Sequence, residues 1–114
     1  MKPRMEGVYA REKLGEAVRA LAVGEEDSRH RLGWAARKIM FLWPDDFPGQ
    51  FRAEGVKIMS DRSARGSMLG SDGTMIYDAI QNTVLHMRKK AASRIAQRIL
   101  TLYFEVDHYL QTCE

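Results

Sequence analysis

The last third of the chain carries an apolar seam that steps alternately by three and four residues: Ala92, Ile95, Ile99, Leu102, Val106 and Tyr109. That spacing keeps every member on one face of an α-helix, as at the a and d positions of a coiled coil. A strand, with its period of two, would scatter the same residues over both faces. The seam therefore predicts a long C-terminal helix that is the central element of the fold.

The rest of the sequence is patterned the same way. Between Tyr9 and Val23, Leu14, Ala17, Val18 and Leu21 mark a helix face, and Gly24 stands where a helix commonly ends. Glu25, Glu26, Asp27 and Ser28 suit the start of a second helix, with a face of Leu32, Ala35, Ala36, Ile39, Met40 and Trp43. Pro44 stops it. Asp45, Asp46, Phe47 and Pro48 form a corner, because the residue before a proline avoids the α region and proline suits the first helical position. A third helix is expected from Pro48 to near Ser63, burying Phe51, Gly55, Ile58 and Met59. Residues 64–73, rich in Gly and Ser, form the one long loop. Ser71 or Asp72 would cap the next helix, with Ile76, Ala79, Ile80, Thr83, Val84 and Met87 on its face. A single helix over residues 74–110 would be about 55 Å long, too long for a compact domain of this size. The chain is expected to break near Lys89, or else to pack the excess length on another subunit. No segment alternates with period two, and no strand is expected.

At 114 residues the chain suits one domain, residues 1–114, with flexible ends at about 1–7 and 111–114. The fold class is all-α, a bundle of four or five helices. The longest uncharged apolar run, residues 39–43, is far too short to span a membrane, and no signal-peptide core stands near the N-terminus. One cysteine, Cys113, excludes a disulfide framework and a Cys-rich zinc site. A cytoplasmic location is expected.

Catalytic and cofactor motifs are missing from the sequence. Gly66 and Gly70 frame a stretch without the Gly-Lys-Ser/Thr ending of a phosphate loop, and no serine has a nucleophile-elbow context. Glu105 and His108 have the Glu-x-x-His spacing used in di-iron bundles, but the second copy and extra glutamates such sites need are lacking. The spacing of Ala20 and Gly24 suits a helix–turn–helix, yet Glu25, Glu26 and Asp27 follow and would face phosphate. No enzyme, cofactor or metal site is expected.

Two surfaces stand out. Phe41, Trp43, Phe47 and Phe51 crowd the proline corner, either as a core anchor docking the third helix or as an exposed recognition surface, and Tyr103 and Phe104 flank the C-terminal seam, giving that helix apolar surface on more than one side. Apolar surface beyond one stripe means deep burial or association. The leading expectation is a non-enzymatic interaction module that self-associates, with a dimer favoured, through these six residues. The alternative is a nucleic-acid-binding accessory factor. Lys90, Arg94 and Arg98 are spaced i, i+4, i+8, and no Asp or Glu lies between Asp78 and Glu105.

Three segments, Glu16-Ala17-Val18-Arg19-Ala20-Leu21-Ala22-Val23-Gly24, Pro44-Asp45-Asp46-Phe47-Pro48 and Ile95-Ala96-Gln97-Arg98-Ile99-Leu100-Thr101-Leu102-Tyr103, resemble a loosely defined group of short uncharacterised bacterial helical proteins. The resemblance implies an accessory bacterial protein carried by phage or other mobile DNA. It implies no activity and no site residue.

Overall fold

A computed structural model describes residues 7–23, 28–61, 66, 68–69 and 75–112. The fold is an all-α bundle: α1 (Val8–Val23), α2 (Ser28–Lys38), α3 (Arg52–Asp61), α4 (Ala79–Leu85) and α5 (Lys89–Thr112). Two short 3₁₀ turns, Pro44–Asp46 and Gly49–Phe51, lead into α3. The loop expected at 64–73 lies largely outside the described residues, as do the N-terminal residues 1–6 and Cys113.

The C-terminal seam organises the core. Ala92, Ile95, Ile99, Leu102 and Val106 of α5 are all buried, and α5 packs on α1, α2 and α3. Opposite them lie Leu14 and Ala17 of α1, Leu32 and Ala36 of α2, Ile39 just beyond its end, and Ile58 of α3. Tyr109, at the end of the seam, meets Phe51 edge-on with ring centroids 5.7 Å apart. Of the two outcomes the length left open, the chain takes the break, between α4 and α5. His86 ends α4, its Nδ1 lying 2.7 Å from the Asn82 carbonyl, and the Arg88 carbonyl accepts the first bond of α5 from the Ala92 N–H.

Two expectations change. The helix foreseen from Thr74 begins at Ala79, and Met75–Tyr77 instead pairs antiparallel with Met68–Leu69. The cause is Asp78. Its carboxylate accepts the Gln81 N–H at 2.8 Å, while the Gln81 side chain accepts the Asp78 N–H at 3.3 Å. This reciprocal box fixes extended backbone at Asp78, so residues before it lie outside the helix and take their hydrogen bonds in a ribbon. The Asp-x-x-Gln signature is present in the sequence.

The second change is at the end of α2, which stops at Lys38 rather than running to Trp43. The Ile39, Met40 and Leu42 N–H groups donate to the carbonyls three residues earlier, those of Ala36, Arg37 and Ile39. At three residues per turn, the position above Ile39 is Leu42, not Trp43. Leu42 is buried accordingly, and Met40 and Trp43, both expected on the inner face, are exposed.

Gly55 and Gly15 each leave room for a ring. An added Cβ at Gly55 would stand 2.6 Å from the Phe47 ring, and one at Gly15 would stand 3.3 Å from the Tyr103 ring. Aromatic rings from the expected docking set thus fill the spaces these glycines open.

Candidate interaction surface

The proline corner sorts its four aromatic residues into one inside, one half-buried and two outside. Pro44 holds Trp43 in extended backbone, φ −102° and ψ 158°. The Trp43 N–H donates to the Asp46 carboxylate at 2.7 Å, and the Asp46 N–H donates to the Trp43 carbonyl at 2.9 Å. The Arg52 guanidinium braces the corner from α3, donating from Nε to the Pro44 carbonyl at 2.9 Å and from Nη2 to the Phe47 carbonyl at 3.3 Å. These bonds turn Phe47 and Pro48 inward. Phe47, expected on the docking face, is a core residue only 1% exposed, with its ring packed over Gly55. Phe51 is half-buried against Tyr109. Phe41 and Trp43 remain outside, 71% and 73% exposed, beside the exposed Met40.

On α5, Tyr103 is half-buried over Gly15 and tilts against Phe104, with ring centroids 5.4 Å apart. Phe104 is 57% exposed. It stands on the face opposite the seam, near the polar Gln97, Thr101 and His108. Of the six candidate interaction residues, three are therefore displayed, two are half-buried and one is inside.

Trp34 was not foreseen as a surface aromatic, yet it is 58% exposed. It borders a shallow groove between α2 and α4 lined also by Gly33, Arg37, Ile80 and Val84. Its position was readable from the helix period, because residue 34 points away from the Leu32, Ala35, Ala36 and Ile39 face.

The basic stripe does not survive as a set of three. Lys90 and Arg94 are exposed, but Arg98 is half-buried between α5 and α3. Its Nε donates to Glu54 Oε2 at 3.0 Å and its Nη1 to Asp61 Oδ2 at 2.8 Å. Burial works to lower the Arg98 pKa, and the hydrogen bonds it donates to Asp61 and Glu54 more than reverse this, raising it above the ordinary value. A guanidinium bound to two carboxylates is a structural tie and is not available to phosphate. The sequence gap in acids from Asp78 to Glu105 concealed this, because both partners come from α3.

No family model, curated protein or solved structure matches the chain. The candidate surface thus rests on geometry alone. Among the described residues no group of three or more His, Cys, Asp or Glu is placed to hold a metal ion. No described helix is long and apolar enough to cross a membrane. Asp78, the cap of α4, also accepts a bond from Arg37 Nη2 at 2.8 Å. The Gln81 backbone N–H first, and Arg37 after it, hold its pKa below the ordinary value against the opposing effect of burial.

Proposed function

We propose that the protein is a non-enzymatic interaction module that self-associates as a dimer through the outer side of the proline corner. The observation that carries this reading is the exposure of Met40, Phe41 and Trp43, three large apolar residues within four positions that lead into a hydrogen-bonded corner. Single exposed apolar residues are ordinary on a protein surface, but large aromatic residues gathered on a braced turn resemble the anchors at interface centres. The backbone under them is already fixed, so little ordering entropy would oppose their burial. Phe104 and Trp34 supply further exposed aromatic surface.

A two-fold dimer places the same patch of both copies in one interface, which suits a compact aromatic corner. The experiment is sedimentation velocity over a concentration series from low to high micromolar. The expected result is a concentration-dependent shift from the 13.0 kDa monomer toward twice that mass. A monomer throughout the series refutes self-association.

A further inference from the structure

A groove of about 310 Å³ lies between the C-terminal half of α1 and the N-terminal half of α5. Its walls are apolar: Val18 and Leu21 from α1 meet Ala96 and Leu100 from α5, all half-buried. One charged group lines it, Arg31 of α2, also half-buried. Arg31 Nε is shielded from water and meets no hydrogen-bond acceptor among the described residues. Arg37 and Arg98 are bonded to carboxylates, although Arg98 Nη2 is also buried without an acceptor among the described residues. A guanidinium that lines an apolar groove attracts an anion, and a carboxylate is the partner that fits its planar fork best.

We propose that this groove binds a small amphipathic carboxylate, an acyl or aromatic acid of medium length, with its head on Arg31 and its tail along Leu21, Ala96 and Leu100. A single lining cation suits one singly charged head, whereas a nucleotide or polyphosphate would need several donors. The exposed Ser93 and Gln97 provide polar groups at the rim. Ser93 and Leu100 are about 10 Å apart along α5, the reach of a medium-length tail. The volume lies at the small end of the range for small-molecule sites. None of the corner residues lines the groove, so ligand binding and self-association can be measured separately.

The test is an NMR titration of the intact protein with sodium octanoate, and with 1-octanol as the uncharged match. Octanoate is expected to shift the amides of Leu21, Arg31, Ala96 and Leu100 and to bind about tenfold or more tightly than octanol, as a charge-assisted bond implies. Arg31→Gln should bring the two ligands level, and Leu100→Trp, which fills the groove, should weaken both. Equal binding of the two ligands by the unaltered protein overturns the proposal, even where Arg31→Gln fails to fold. So does shift mapping centred on Trp43, an unchanged preference in Arg31→Gln, or no octanoate binding up to its solubility limit.

Discussion

Replacing Trp43 with Ser separates association from folding. At 73% exposure, Trp43 leaves on the order of 180 Å² in water, taking about 250 Å² for a tryptophan. Covering that area is worth about 4–5 kcal/mol gross at 25 cal/mol/Å². Part of this is lost to immobilising the partners, and truncation of an interface anchor commonly costs about 2 kcal/mol or more. A two-fold dimer contains the residue twice, so Trp43→Ser should weaken dimerisation by about 4 kcal/mol, roughly a thousandfold in Kd. Monomer stability should change by no more than about 0.5 kcal/mol, because the side chain is exposed and the corner hydrogen bond to Asp46 is made by the backbone N–H. Sedimentation velocity reads the first quantity. Urea unfolding reads the second, at a protein concentration where both forms are monomeric, since dimerisation would otherwise add apparent stability. Phe47→Ala provides the contrast: its ring is core, and about 3–5 kcal/mol of stability should be lost. A Trp43→Ser protein that dimerises as tightly as the original would refute the reasoning about the corner. One that loses as much stability as Phe47→Ala would refute the division of the corner into inside and outside.

Gly55→Ala should destabilise by about 1–3 kcal/mol in urea unfolding despite alanine's better helix propensity, because the new methyl would stand 2.6 Å from the buried Phe47 ring. Arg98→Gln should cost about 1–2 kcal/mol by the same assay, since it unties α5 from Glu54 and Asp61, with the partly exposed carboxylates keeping the loss moderate. Asp78→Ala should lower stability by about 1 kcal/mol through loss of the α4 cap. The Asp78 pKa is lowered on folding, so its contribution is fully present above the unfolded-state value of 3.8 and disappears as pH falls through the lower folded-state value. Acid unfolding curves of Asp78→Asn and the unaltered protein should therefore converge toward the acid end, and parallel curves would refute that coupling.

The sequence was most legible where a period persisted. The α5 seam named its buried residues because a long helix keeps the 3.6-residue repeat, whereas length left a break near Lys89 and one long helix packed on another subunit both open. Legibility failed where the repeat changed or where side chains reached across space. A hydrogen-bond spacing of three residues in place of four at the end of α2 exchanged Leu42 for Trp43, turning an expected core residue into the most exposed large aromatic of the corner. The pairing of Arg98 with α3 could not be read from α5, whose own charge pattern suggested a phosphate contact. Phe47 went inward because Gly55, eight residues later, left space for its ring, a complementarity that no count of aromatic residues expresses. The same physics separates the proposed interface from the core. At the corner, Phe47 is inward where the missing Cβ of Gly55 admits its ring, and Trp43 is outward where the backbone before it tightens to three residues per turn. Trp43 is exposed because of the hydrogen bonds beneath it, so its exposure should persist in the isolated monomer and be lost only when a partner covers it.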